Sequence, residues 1–199
     1  MLMISTQQAG FTLIEVLVTF LIVAIGLLGL GALQVNTMNN SFETYQRALV
    51  GSIVEDMAAR IRMNPNAAMA GDYDLPPPDD ETCESMIKNP EVALPWQRDL
   101  CEWHAQIKGS SATVAGDASG NESDPPARNV GAPLGARGCI KYLDTSGSGE
   151  QWIRVSVAWI GITPQSETEL SCGQGEMGDE SFRRVVFRDV AVRKLTEGV

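Results

Sequence analysis

Histidine is nearly missing from this sequence: His104 is the only one in 199 residues. That excludes metal centres built on several histidines and leaves any Ser/His/Asp triad one possible base. Its place in a tryptophan-rich stretch reads as structural or surface. A glycine-rich phosphate loop and a G-x-S-x-G elbow are both lacking. Basic residues are scarce too, 15 against 25 acidic, for a net charge of −10 and a pI near 4.5. Without clustered Lys and Arg there is nothing to contact a phosphate backbone, so no nucleic-acid partner is expected. No cofactor, metal site or catalytic residue is expected either. Residues 1–10 hold no Lys or Arg and the first basic residue is Arg47, so charge gives little guidance to membrane orientation.

What the chain has is one long apolar run. From Phe11 to Leu33 it reads FTLIEVLVTFLIVAIGLLGLGAL, polar only at Thr12, Glu15 and Thr19. As a helix this segment would be roughly 34 Å long, enough for a hydrocarbon core of about 30 Å. A cleaved secretory signal has a shorter apolar region ending at small residues. Here polar QVNTMNN follows without such a site, so the segment is expected to stay attached. Glu15 is costly at that depth, by about 2–3.5 kcal/mol on insertion scales. Gly26, Gly29 and Gly31 read either as close-packing positions or as a weak spot in the helix.

The helical period continues beyond the apolar run. Met38, Phe42, Tyr45, Leu49, Ile53, Met57 and Ile61 form one stripe, with Asn39, Glu43, Arg47, Glu55 and Arg62 opposite. Asn64-Pro65 supplies the stop. The pattern predicts a single helix from Thr12 to Met63, on the order of 78 Å long, apolar all round in its first half and amphipathic in its second.

Beyond it, 64–100 reads as irregular and acidic. Asp72, Asp74, Asp79 and Asp80 form a solvated patch, for which metal binding is a minor alternative. LPWQRDLCEWHAQI (94–107) predicts a short helix with Trp96, Leu100, Trp103 and Ile107 in the core. The stretch 109–138 has few large apolar groups and reads as an exposed, mobile loop; Asn121-Glu122-Ser123 within it matches the common glycosylation triplet. Strands are expected at 139–143, 152–162 and 182–195, with SGSG (146–149) turning the first into the second. In the second, Ile153, Val155, Val157 and Trp159 should face inward, with Arg154 and Ser156 outward. An antiparallel sheet with one apolar face needs a cover, and the amphipathic half-helix is the available one.

All four cysteines, Cys83, Cys101, Cys139 and Cys172, lie beyond the membrane segment. Their spacing matches neither a zinc ribbon nor a C-x-x-C motif, so disulfides in an exported domain fit best. Three pairings are open. We favour Cys83–Cys101 and Cys139–Cys172, with free buried thiols as the alternative.

GFTLIE followed by a long apolar helix resembles the class III signal of type IV prepilins. In that family a dedicated peptidase cuts after the glycine, here Gly10, and methylates the new N-terminus, here Phe11; Glu15 matches the family's glutamate. EVLVTFLIVAIGLLGLGALQ (15–34), QRALVGSIVEDMAARIRMNPNAA (46–68) and RVSVAWIG (154–161) resemble the minor pilins called type IV pilus modification protein PilV. The likeness is dense over 10–68 and thin elsewhere, and the uncharged leader departs from the family pattern. The resemblance implies an α+β type IV pilin fold: leader 1–10, filament-core half-helix 11–33, amphipathic half-helix 34–63 and exported globular domain 64–199. It implies a structural subunit in the inner membrane and then the pilus, with no reaction of its own. Its partners would be the prepilin peptidase, the assembly platform, the lipid bilayer, the major pilin, other minor pilins and a tip adhesin. A minor pseudopilin of type II secretion shares the N-terminal signature; a calcium loop would favour it, but 163–181 gathers few carboxylates. A signal-anchored enzyme or thiol-redox module is the remaining alternative.

Overall fold

The computed structural model describes residues 10–74, 82–83, 85–86, 91, 93–109, 113–114, 128–129, 131–143 and 149–193. One helix, α1 (Leu13–Met63), runs through the whole apolar and amphipathic pattern. The chain divides into a unit ending at Phe42 and a second from Glu43 onward. In the described part of the first, three residues (10–12) lead into α1, which makes up the rest.

The second unit is α+β. After α1, Pro65 restarts a short helix, α2 (Pro65–Ala70), where a proline at the first position costs no hydrogen bond. Gly71 closes it at φ 87°, a left-handed cap that favours glycine. A 3₁₀ turn (Asp72–Asp74) follows, and later α3 (Pro95–Ile107). Residues 64–74 are therefore ordered, not irregular as expected: Pro65 stops one helix and begins the next. Asp79 and Asp80 lie outside the described residues, as does most of 109–138. Its described parts are ordered, with β1 (Thr113–Val114) antiparallel to β2 (Arg128–Asn129).

The main sheet has the order β3-β4-β5, from β3 (Arg137–Leu143), β4 (Glu150–Ile160) and β5 (Arg183–Arg193), all antiparallel. All of the SGSG segment but Gly149 lies outside the described residues, yet the strands it joins are neighbours. Val157 stands opposite Val186, and Ile153 opposite Val190. Along β4, Ile153, Val155, Val157 and Trp159 are buried, as their alternation predicts. They meet Val50, Ile53, Val54, Met57 and Ile61 of α1 and Leu100, Trp103 and Ile107 of α3 in one core. The Trp103 indole N–H donates to the Ile53 carbonyl at 3.1 Å, which satisfies the one polar atom of a buried tryptophan.

Two expectations need correction. Of the predicted stripe on α1, only Ile53, Met57 and Ile61 are buried; Met38, Phe42 and Tyr45 are exposed, and Val50, Val54 and Ala58 complete the buried face. Ser156 points outward but is buried, because Cys172 and Met177 from the β4–β5 loop pack on Ala158 over that face.

Candidate functional site

Thr12 is the residue just before α1, and its side chain and carbonyl both face the first turn. The Glu15 N–H lies 3.4 Å from Thr12 Oγ1 and 3.1 Å from the Thr12 carbonyl, which also accepts from Val16 N–H at 3.3 Å. Thr12-Leu-Ile-Glu15 thus has the spacing of a capping box, in which a Ser or Thr begins the helix and a Glu three residues on reaches back. The carboxylate also lies in the first turn, where the helix dipole favours negative charge. The T-x-x-E spacing was visible in the sequence, where Glu15 drew attention for its depth and for its match to the prepilin signal. Gly10 and Phe11 precede the helix and are exposed; residues 1–9 of the expected leader lie outside the described residues.

Among the described residues α1 is the only helix long and apolar enough to cross a membrane. Its side chains from Leu13 to Leu33 are exposed. Thr19 donates to the Val16 carbonyl at 2.8 Å, so its hydroxyl is satisfied within the helix, as an apolar surrounding requires. At Gly26, Gly29 and Gly31 no group of the described residues comes within 4 Å of where a Cβ would sit, and the helix passes through them unbroken.

The DMAARIRMNP stretch has a clear physical task. Asp56 and Arg60 of α1 and Asn64 just beyond its end recur every four residues and meet α3. Arg60 bonds Asp56 at 2.8 Å, Asp99 at 3.2 Å and Glu102 at 2.6 Å. Asn64 donates to Asp99 at 2.8 Å, and Gln106 to Asp56 at 3.1 Å. The Tyr73 hydroxyl donates to Asp99 at 2.9 Å. Burial opposes the charge on Arg60, but Glu102 and Asp56 outweigh it and hold the proton more tightly than usual. Burial, then the Asp99 carboxylate, pushes the Tyr73 phenol up.

The β4–β5 loop is held by Arg183, Arg184 and Glu43, of which the sequence reading assigned only Glu43, to the polar face of α1. The Arg183 guanidinium is buried and donates to the carbonyls of Leu170 (2.6 Å), Cys172 (3.0 Å) and Thr168 (3.0 Å), with Glu180 as its carboxylate partner. Arg184 donates to Ser181 and Thr163 carbonyls. Glu43, expected on the polar face, accepts from the backbone N–H of Ile162 and Thr163 at 3.0 Å each and lies 3.5 Å from Arg184. Burial raises its pKa, but the Thr163 hydrogen bonds and Arg184 win and leave it below the usual carboxylate range. Cys139–Cys172 ties this loop to β3, with Cα atoms 5.8 Å apart, and Cys83–Cys101 ties α3 to the segment before it, at 5.2 Å. Among the described residues no three His, Cys, Asp or Glu side chains gather as a metal site.

Residues 5–31 match the prokaryotic N-terminal methylation motif. No curated protein and no solved structure matches the chain. The motif covers Gly10, Phe11 and Glu15 together with most of the apolar run, and supports a type IV pilin-like or pseudopilin subunit. The long helix followed by a three-stranded antiparallel sheet is consistent with the pilin fold.

Proposed function

We propose that this chain is a minor pilin of the PilV kind, a low-abundance subunit that starts or modifies a type IV pilus and catalyses no reaction. The observation that carries this reading is the methylation motif at 5–31 on a helix that continues unbroken into a disulfide-bonded α+β domain. Prepilin peptidase would cut between Gly10 and Phe11 and methylate Phe11. The new amine would then lie just outside the Thr12 cap, one helical turn from Glu15. Inside the bilayer the two charges neutralise one another. In a filament a neighbouring subunit's amine can take the same place, and a charge pair in low dielectric tolerates little misregister. Glu15 would so set the axial position of the subunit among other minor pilins and the major pilin, while the domain faces outward toward a tip adhesin or another subunit.

The test is the intact mass of the chain from membranes and from sheared surface filaments. Loss of residues 1–10, one methyl group and four oxidised cysteines in the sheared fraction is the expected result. An unprocessed chain confined to membranes would reduce the N-terminal segment to a simple anchor and overturn the reading.

A further inference from the structure

The outer face of the main sheet is covered at one end only. There Cys172 and Met177 pack on Ala158, and Ser156 is buried beside them. Toward the start of β4 the same face carries two exposed aromatics, Trp152 and Phe187. The register puts both on one surface. Trp152 pairs with Ala191 and Ser156 with Phe187, so these side chains alternate with the buried Ile153 and Val155 and point away from the α1 core. The offset along the strands separates the two aromatics by about 14 Å.

Between them a row of charges crosses the three strands. Lys141 stands opposite Arg154, and Arg154 opposite Asp189. Asp189 accepts from Arg154 twice, at 2.7 and 2.8 Å, and the guanidinium lies 4.5 Å above the Phe187 ring. The other carboxylate at this end, Glu150, is bonded to Arg193. Lys141 is exposed and, among the described residues, pairs with no carboxylate. Like charges directly opposite one another destabilise a sheet, so the row holds one cation more than its own pairing uses. A local rule broken without a compensating contact is the mark expected of a functional position.

This face has what a saccharide needs. An exposed aromatic ring lies against the C–H face of a sugar, and fixed donors and acceptors meet its hydroxyls. Arg154 uses two N–H groups on Asp189 and keeps the rest, and the Asp189 oxygens keep acceptor capacity. A protein partner would need pockets for its anchor side chains, and a charged row across the strands denies them. Lys141 then selects an acidic sugar. It is the diagonal neighbour of Trp152, whose partner on β3 is Leu143, and long side chains reach that far. The net charge of −10 opposes an anion at long range, but at about 0.15 M salt charges more than about 8 Å away are largely screened. The nearest unpaired charge decides, and it is a cation.

We propose that this face binds an acidic polysaccharide, with a sugar ring on Trp152, hydroxyls on the Arg154–Asp189 pair and a uronate carboxylate on Lys141. The inference rests on the globular unit alone and is independent of the pilin reading.

The experiment is calorimetric titration of the full chain in lipid nanodiscs with tetragalacturonate at about 0.15 M salt. Saturable binding is expected, and about tenfold weaker binding of the fully methyl-esterified form, which lacks the charge for one charge-assisted hydrogen bond. Lys141→Gln should lower the affinity for tetragalacturonate to that of the ester and leave the ester unchanged, a pattern that misfolding would not give. Trp152→Ala should weaken both. No saturable binding, or undiminished binding in either variant, would overturn the proposal. Tetraglutamate binding as tightly as tetragalacturonate would overturn the saccharide assignment, and an equally tight ester would overturn the selection of an acid.

Discussion

Two roles are proposed for Glu15, helix capping and charge pairing, and two substitutions compared with one another separate them. Leucine removes both the capping carboxylate and the charge, whereas glutamine keeps the capping-box spacing and removes the charge alone. Glu15→Leu is expected to stay anchored in the membrane and to be absent from sheared filaments. Glu15→Gln should show the same loss with a normally formed helix, read by immunoblot of the two fractions. Normal incorporation of the glutamine variant would leave Glu15 a helix cap and nothing more. Glu43 gives a residue-level prediction of another kind. Its pKa is lowered in the folded chain, so its contribution is present at neutral pH, above the unfolded value, and is lost as pH falls through the folded value. Glu43→Gln should therefore flatten the acid limb of a urea-midpoint titration between about pH 5 and 3. At neutral pH it should cost about 1–2 kcal/mol, since two backbone N–H groups lose a charged acceptor. Asp189, held low by Arg154, keeps part of the remaining slope.

At the scale of elements, α1 and α3 could be read from the sequence because a 3.6-residue period survives whatever the helix packs on. The buried stripe of α1 was legible in part: Ile53, Met57 and Ile61 are buried as their period predicts, but the period does not say how far along the helix burial extends, and Met38, Phe42 and Tyr45 are exposed. The β4–β5 loop was hidden for a related reason. Arg183 and Arg184 open an apolar strand and look solvent-facing, but a loop without regular structure leaves carbonyls that only side-chain donors can satisfy. Gly138 was equally silent. A Cβ there would stand 2.5 Å from both Ile107 Cδ1 and the Trp103 ring, in the well-packed junction of β3 and α3. Gly138→Ala should destabilise the domain by about 1–3 kcal/mol, as overpacking of a core does, measured by urea unfolding. A neutral result would mean that α3 can shift away from the sheet.

For the molecule as a whole, the methylation motif and the apolar run were the most legible parts, since they depend on local residue type and not on distant contacts. The globular domain showed its strands but not how its loops are tied down. Removing the Cys139–Cys172 bond as a double alanine variant should cost about 3.7 kcal/mol, the loop-closure entropy for its sequence separation of 33. The measurement is again the urea midpoint, with the α3–β3 core expected to remain. A loss under about 1 kcal/mol would show that Arg183 and Arg184 hold the loop unaided.

The two bonds also have an order. Each joins cysteines that are consecutive along the chain, Cys83 to Cys101 and then Cys139 to Cys172. A chain threaded across a membrane behind its N-terminal helix presents the first pair before the second has emerged. An oxidase that links thiols in order of arrival therefore makes the native set directly. Maturation should need a thiol oxidase but no disulfide isomerase, and the yield of this subunit should follow the oxidising capacity of the compartment that receives it.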